Sequence, residues 1–320
     1  MRDDAPTFAL PAGYRVRAPT FADLPAVFDL LMACDRAYLG TPDTAFEDLQ
    51  EEWENLDLAQ DAFLVLGPDD RPVGVATIDG LATLRADAQV HPACAHRSIG
   101  AHLRHLLEIR AWERAKAVPE AAPIRLETWI SRRQEADRRL LQATGYEHAA
   151  RYCRMRIDLA APPPAPVWPA GISLRTAVPG EDEARVYAVL EDANRDDAQH
   201  ERMDYARWRC LMVETYRYDP TLWWLAIAGE EIVAAALGVP FPDEGWIRLV
   251  GVRRGWRRRG IATALVRTLV GAFWHRGFAR VELGVAPDSP FGAQRLYERV
   301  GMTVAFELDK YQKALGHRSG

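Results

Sequence analysis

The residues best suited to chemistry lie where a predicted apolar strand, near residues 246–252, runs into a helix. The helix opens with Arg257-Arg-Arg-Gly260-Ile-Ala262, and its apolar stripe is Ile261, Leu265, Leu269 and Phe273. Small residues at 260 and 262 allow a ligand to approach the backbone closely. First-turn amides have no intrahelical partners and lie at the positive end of the helix. The segment therefore predicts an anion cradle suited to a pyrophosphate. The alternative is an ordinary turn between a strand and a helix, with its arginines exposed to solvent.

A second motif follows about 30 residues later and contains a predicted helix. Its sequence is Asp288-Ser-Pro-Phe-Gly-Ala293-Gln-Arg-Leu296-Tyr297-Glu-Arg-Val-Gly301-Met302. In order and spacing, the two segments resemble the two acyl-CoA signatures of the GNAT superfamily of N-acetyltransferases, [Q/R]-x-x-G-x-[G/A] and N-x(4)-A-x-x-L-Y-x-x-x-G-F. Asp288 and Met302 depart from the Asn and Phe that are usual in that family.

The resemblance implies direct transfer of an acetyl group from acetyl-CoA, the expected co-substrate, to an amine. In the family the pantetheine arm pairs with the strand, and the pyrophosphate lies on the amides that follow it. The residues of this chain that match the binding signatures are Val250, Gly251, Val252, Arg257, Arg258, Arg259, Gly260, Ile261, Ala262, Thr263, Asp288 and Ala293.

Two further residues are assigned catalytic roles. Tyr297 matches the family's general acid, which protonates the departing thiolate; a phenol with a pKa of about 10 can donate at neutral pH. The alternative for Tyr297 is that it only packs on an amphipathic helix. The family's base is a carboxylate on the strand before the cradle, but residues 246–252 contain no acid. Glu244 is chosen here, with Asp243 and Glu282 as alternatives and a plain turn residue as the competing interpretation.

The two halves of the chain repeat each other. Residues 10–17 match 168–175, residues 90–103 match 252–265, and residues 140–146 match 296–302, all in the same order. Offsets of 156 to 162 residues indicate a duplicated domain of ordinary size. The chain is therefore predicted to be a tandem duplication.

A proline-rich joint divides the repeats. Residues 160–166, Ala-Ala-Pro-Pro-Pro-Ala-Pro, favour an extended connection over a helix or a central strand. We expect an N-terminal domain at 1–159, a linker at 160–170 and a C-terminal, catalytic domain at 171–320. The alternation of strands and helices predicts an α/β or α+β fold. The resemblance implies two tandem GNAT-like domains, each a mixed, mostly antiparallel sheet flanked by helices.

The first copy has kept its apolar stripe but lost the chemistry. Ala95 stands in place of Arg257, Ser98 in place of Gly260, and Leu141 in place of Tyr297. The first half is therefore interpreted as degenerate, with a structural or substrate-shaping role and with weak CoA binding left open. Nearby histidines suggest a metal, but no carboxylate or cysteine completes a ligand set at the usual spacing, so none is expected. These histidines are His91, His96, His102 and His105.

Composition narrows the partners of the protein. Its 320 residues are 48% hydrophobic, enough for two cores, and show no run of about 20 apolar residues and no secretory pattern. Four widely spaced cysteines fit a reducing cytoplasm, and a net charge of −5 argues against nucleic-acid binding. We expect a cytoplasmic monomer or homodimer without a membrane partner.

Acidic residues bear on the acceptor. Residues 37–70 contain ten acidic side chains and no Lys, Arg or His, and residues 181–204 are also rich in acids. In the GNAT fold these segments help to wall the acceptor site, so they predict a small, cationic primary amine. Trp208, Trp223 and Trp224 would add cation–π surfaces; solvated helix faces and core tryptophans are the alternative. A non-catalytic acyl-CoA-binding or sensing module is the rival function.

Overall fold

The computed structural model describes residues 8–80, 83–95, 98–116, 124–196, 202–215, 217–242, 244–288 and 292–315. The described residues divide into two compact units. The first unit runs up to Arg151 and resumes at Phe306, and the second unit is Tyr152–Ala305. Asp243 and His96 lie outside the described residues.

The elements are numbered along the chain. The strands are β1 (Arg15–Arg17), β2 (Ala62–Leu66), β3 (Pro72–Gly80), β4 (Thr83–Val90), β5 (Ile124–Ser131), β6 (Glu147–Asp158), β7 (Ser173–Thr176), β8 (Trp223–Ala228), β9 (Glu231–Pro240), β10 (Gly245–Val252), β11 (Arg280–Val285) and β12 (Thr303–Leu315). The helices are α1 (Leu24–Tyr38), α2 (Phe46–Glu54), α3 (Leu58–Asp61), α4 (Ile99–Lys116), α5 (Glu135–Ala143), α6 (Glu183–Asn194), α7 (Tyr205–Met212), α8 (Ile261–His275) and α9 (Ala293–Val300).

Each unit contains a mixed sheet flanked by helices. The strand order is β1-β2-β3-β4-β5-β12 in the first unit and β7-β8-β9-β10-β11-β6 in the second. Within these orders β4–β5 and β10–β11 are parallel pairs and the others are antiparallel. The expected fold class is confirmed.

The units of the fold differ from the sequence halves by one strand each. Strand β12 pairs with β5 through Leu308–Leu315, and β6 pairs with β11 through Cys153–Asp158. Each unit is therefore completed by the last strand of the other half of the chain, whereas the expected limits at 159 and 171 follow the repeat. The exchange gives β5 and β11 an antiparallel partner that satisfies their backbone hydrogen bonds.

The core of the second unit lies between its sheet and α8. The predicted stripe of α8 is buried, and Phe273 packs where Gly245 leaves room. A Cβ at Gly245 would lie 2.4 Å from Cγ of Phe273, so a side chain there would displace the ring. This packing fixes the start of β10 against α8 and so positions the rest of the strand.

The second unit opens a gap beside β10. Strands β10 and β11 pair only at Gly245–Val281 and Trp246–Glu282. On the opposite side, the β9–β10 register shifts between Ile247 and Leu249, which marks a bulge that bends the strand. Strand β10 therefore leaves β11 after its first residues, and its carboxyl end lines an opening.

Candidate active site

A cavity of about 600 Å³ lies at that opening, within the second unit. It is enclosed by the carboxyl end of β10, the start of α8, α9 and the end of α6. The sequence-predicted residues that line it are Val250, Gly251, Val252, Arg257, Arg258, Gly260, Ile261, Ala262, Thr263, Ala293 and Tyr297. Arg259, Asp288 and Glu244 do not line it.

The start of α8 has the geometry of an anion cradle. Gly260 caps the helix in the left-handed region, with φ of +84°. The first backbone N–H to donate within the helix is that of Ala264, which donates to the Gly260 carbonyl. The amides of residues 261–263 therefore have no acceptor within the helix. A Cβ placed at Gly260 would meet no protein atom within 4 Å. Open space, early amides and a helix N-terminus together fit the pyrophosphate of acetyl-CoA.

Arg257 organises the loop before the cradle. Its Nη2 donates to the Ala193 carbonyl at 2.7 Å, its Nε donates to the Val252 carbonyl at 3.4 Å, and its Nη1 lies 3.5 Å from Asp196. Arg254 also binds Asp196 and holds the pKa of that carboxyl below its usual range. These contacts join α6 to the loop, so Arg257 holds the backbone as well as contributing charge to the wall.

The next two arginines differ in their surroundings. Arg258 is exposed at the cavity with φ of +60°, and no described residue bonds its guanidinium. Arg259 instead lies over Trp256 at 4.6 Å and donates to the Gly255 carbonyl. Together with Arg299, which also lines the cavity, Arg258 supplies positive charge for phosphate groups.

A close approach of α6 to β10 completes the wall. A Cβ at Gly251 would lie 2.8 Å from Leu190 and 3.0 Å from Ala193, so only glycine fits. This contact brings Asn194 into the cavity lining. Sequence reasoning missed Asn194 because the contact that brings α6 to the cavity joins Gly251 and Ala193, which lie far apart along the chain.

Tyr297 lines the same cavity from α9. Helix α9 runs between two left-handed glycines, Gly292 and Gly301, and its last residue, Val300, is buried. Burial raises the pKa of Tyr297 to about 12, because the phenolate is poorly solvated there. Its hydroxyl makes no hydrogen bond to any residue that the structure describes. The phenol is therefore protonated at neutral pH and available to donate.

The acidic candidates lie away from this cavity. Glu244 directly precedes β10, at the end where that strand is still paired with β11, roughly 20 Å of extended chain from Val250. Glu282 is fully buried and forms ion pairs with Arg156 and, at 3.4 Å, with Arg154. Asp288 is exposed in the turn after β11. The structure therefore brings Tyr297 to the cradle but not these carboxylates.

The acids near α6 and α7 serve structural contacts. Asp182 accepts from Arg175, which lowers the pKa of that carboxyl. Glu183 accepts from the Gly180 amide at 2.7 Å, and Asp204 caps α7 by accepting from the Arg207 amide. These three carboxylates therefore serve contacts that hold α6 and α7 in place.

The tryptophans of the same region were expected to offer cation–π surfaces. Trp208 and Trp223 are instead buried together in the core beneath α6 and α7. Trp224 is partly buried and packs against the core beneath α8. The alternative interpretation, core packing, therefore describes Trp208 and Trp223.

The corresponding gap in the first unit is bridged by side chains. Strands β4 and β5 pair only at Thr83–Arg85, but the register of β4 against β3 is unbroken. Beyond the paired part, Arg104 Nη1 donates to the Ala86 carbonyl at 2.7 Å and to Thr128 Oγ1 at 2.9 Å. Thr128 in turn donates to Asp87. The space that a pantetheine arm would need is thus crossed by hydrogen bonds.

The start of α4, which corresponds to the cradle, is covered by the N-terminal segment. Ser98 Oγ donates to the Ala9 carbonyl at 2.6 Å, and His102 Nδ1 donates to the Phe8 carbonyl at 2.6 Å. Phe8 also stacks on His105. No group of three described His, Cys, Asp or Glu side chains can hold a metal ion, and these two histidines have packing roles.

Arg104 makes the bridged gap testable. Its side chain is 2% exposed, so Arg104→Ala leaves a void and two acceptors without their donor. We expect a loss of about 2–4 kcal/mol in the free energy of unfolding, measured by urea denaturation. The matched control is Arg139→Ala on the exposed face of α5, for which a loss below about 0.5 kcal/mol is expected. Equal stability of the two variants would contradict the bridging role.

Comparison with known proteins agrees with this geometry. The model of the acetyltransferase (GNAT) family matches residues 184–302, which include the whole cavity lining. A mycothiol acetyltransferase of Streptomyces scabiei is 30% identical over 252 residues, which span 77% of each chain. The chain belongs to the GNAT family. It is therefore an N-acetyltransferase of a family that uses acetyl-CoA.

Solved structures extend the likeness of this GNAT enzyme over nearly its full length. A GCN5-related N-acetyltransferase of Sphaerobacter thermophilus is 36% identical with a TM-score of 0.86, and the match covers 96% of this chain and 97% of that one. A tandem GNAT protein of the clavulanic acid biosynthesis pathway shares the fold, with a TM-score of 0.68 at 16% identity over 95% and 99% of the two chains. Among the described helices of the GNAT enzyme, none has the length and apolar character of a membrane span.

Proposed function

We propose that this GNAT enzyme transfers an acetyl group from acetyl-CoA to a small primary amine in the cavity of the second unit. One observation carries the proposal: Tyr297, a protonated phenol, and the open start of α8 line the same cavity at the gap beside β10. A proton donor and a diphosphate cradle are the two parts that thioester transfer requires on the CoA side.

The residues divide the work between binding and proton transfer. Amides at 261–263 and the Arg258 guanidinium bind the diphosphate, and the backbone of Val250–Val252 pairs with the pantetheine arm. The amine nitrogen attacks the thioester carbon, the C–S bond breaks, and Tyr297 donates its proton to the departing thiolate. The nitrogen releases a proton to water. For Glu244, the proposed role as base requires a chain of waters, because it lies at the far end of β10.

The domain roles follow from the contrast between the two units. We propose that residues 171–320 carry the transfer site and that the first copy is degenerate. Support comes from the bridge at Arg104, from the covered start of α4, and from Leu141, which is buried in the core at the position corresponding to Tyr297.

A thiol-release assay with a panel of amines tests the proposal. The relatives' name, mycothiol acetyltransferase, makes small molecules the first class of acceptor to test. Amino sugars, polyamines, aminoglycosides and amino acids are each incubated with acetyl-CoA, free CoA thiol is measured, and the acetylated product is identified by mass. We expect at least one amine to raise thiol release well above hydrolysis. Tight binding of acetyl-CoA without release for any amine would favour the rival sensing module.

A further inference from the structure

The sheet of the second unit carries a group of arginines beside the end of the gap where β10 and β11 are still paired. Trp246, Glu282 and Arg156 lie side by side on β10, β11 and β6. In the next row of the same face, Gly284 is paired with Arg154. Strand alternation puts these five residues on the face opposite to the core beneath α8. We call the surface that they form the arginine hollow.

The arginine hollow has room for a ligand. Gly284 is exposed although it lies within a strand, and a Cβ placed there would meet a single described atom within 4 Å, Cη2 of Trp246 at 4.0 Å. The guanidinium of Arg154 lies 4.4 Å from the centre of the same indole. A small molecule above Gly284 would therefore contact an aromatic edge and lie close to a cation.

Positive charge exceeds negative charge in the arginine hollow. Glu282 is fully buried and forms an ion pair with Arg156, and Nε of Arg154 lies 3.4 Å from its other oxygen. One carboxylate thus serves two guanidinium groups. Only Nε of Arg156 donates to a described residue, so its two Nη groups are available to a ligand.

Arg248 adds a further cation at the edge of the arginine hollow. It follows Ile247, which packs in the core beneath α8, so alternation puts Arg248 on the face that carries Trp246. It is also the extra residue of the β10 bulge, at the point where β10 leaves β11. Its side chain is half-buried, and no described carboxylate or carbonyl accepts from it.

This position of Arg248 is unfavourable unless an anion joins it. Burial lowers the pKa of Arg248, because its charged form is poorly solvated there. A guanidinium stays protonated in proteins, so it cannot escape the cost of burial by losing its proton. Its planar set of donors matches a carboxylate, which can accept two parallel hydrogen bonds from it. A ligand carboxylate would therefore supply the counter-ion.

The arginine hollow lies where the acceptor must approach. In the proposed function the pantetheine arm pairs with Val250–Val252, and Arg248 lies further along β10 toward the paired end of the gap. The thioester at the end of that arm would therefore lie next to Arg248 and Gly284. An amine that attacks the thioester from this face has the three arginines around it.

We infer that the acceptor of the proposed transfer is an amino acid, whose carboxylate is bound by Arg248 and Arg156. The inference rests on the proposed function, since it assigns the second substrate of that reaction. The carbon chain of the acceptor lies over Gly284 against Trp246, and its amine faces the gap. A polyamine, the class that the acid-rich segments of the sequence predict, would meet like charge at this position.

Calorimetric titration of the full chain saturated with CoA tests the inference without requiring turnover. The probes are glycine, L-serine, L-glutamate and L-phenylalanine, each compared with its α-carboxamide, which keeps the amine and the shape but removes the α-carboxylate charge. We expect at least one amino acid to bind about tenfold or more tightly than its amide, and 1,4-diaminobutane to give no binding heat. No binding by any of the four up to about 10 mM, or equal binding by every acid and its amide, would overturn the inference.

Two variants with the same substitution locate the carboxylate. Arg248→Gln is expected to bind the preferred amino acid and its amide within about twofold of each other, while Arg248→Lys keeps part of the preference because it keeps the charge. The control is Arg280→Gln, on the same face of β11 but about 13 Å of extended strand before Gly284. It is expected to keep the full preference. An unchanged preference in Arg248→Gln would overturn the role of Arg248.

Stability separates a ligand contact from a structural role for Arg248. Because no described residue accepts from this guanidinium, Arg248→Gln is expected to unfold at a urea midpoint no lower than that of the unmodified chain. A lower midpoint, with acid and amide both bound more weakly, would overturn the assignment.

The inference and the proposed function fail in different ways. If the amine panel releases thiol equally well with amines that have no carboxylate, the transfer stands and the amino-acid acceptor is overturned. If no amine releases thiol while the chain still binds CoA and prefers an amino acid to its amide, the transfer is overturned and the carboxylate site stands.

Discussion

Gly260→Asp is expected to abolish acetyl-CoA binding, with an affinity loss of about 100-fold or more. A Cβ at this position meets no protein atom within 4 Å, so the new side chain enters the space left for the ligand. There its carboxylate would face the diphosphate and repel it. The left-handed φ of +84° adds a strain of about 1–2 kcal/mol, which the folded unit can absorb.

The control for this prediction lies in the same loop. Gly255 also has open space around a Cβ but has no left-handed backbone and does not line the cavity. Gly255→Asp introduces the same charge a few residues away and is expected to change acetyl-CoA affinity less than about fivefold. Calorimetry on both variants, with circular dichroism to confirm folding, makes the comparison. Retained affinity in a folded Gly260→Asp variant would remove the cradle from the account.

Tyr297→Phe is expected to lower kcat by about 10²–10³ while leaving the Kd for acetyl-CoA within about twofold. The hydroxyl acts on the leaving thiolate, and the ring that packs in the wall is kept. Tyr218→Phe is the control, because its hydroxyl contacts Glu183 and not the cavity. Stopped-flow or steady-state thiol release with the best acceptor gives kcat, and calorimetry gives Kd.

The pH dependence supplies a second measurement for Tyr297. A general acid must be protonated, and the pKa of this phenol is about 12, so its ionisation lowers kcat only as the pH rises toward 12. Between pH 7 and about 10, no alkaline loss of kcat from Tyr297 is expected.

A Tyr297→Phe variant that loses acetyl-CoA affinity as much as kcat would contradict the donor role.

The cradle could be predicted from sequence because its determinants are local. A strand, a Gly260 cap and an apolar helix stripe all lie within one segment, and the observed α8 begins at Ile261, the first residue of the predicted stripe. The strand predicted near residues 246–252 likewise lies within β10, which is Gly245–Val252.

Long-range pairing could not be predicted in the same way. Nothing near β6 or β12 shows that each completes the sheet of the other unit, because strand partners are chosen by tertiary contacts. The Arg257–Asp196 contact and the Arg104 bridge also join distant segments. Glu244 was chosen because it is near the cradle in sequence. The residues between them form the extended strand β10, so Glu244 lies at one end of that strand and the cradle lies at the other.

The most direct test of the account is a calorimetric titration of the intact chain with acetyl-CoA. An open cradle in the second unit and a bridged, covered equivalent in the first predict one site per chain, which Gly260→Asp removes. Two sites per chain, or binding that survives in Gly260→Asp, would contradict the assignment of transfer to the second unit alone.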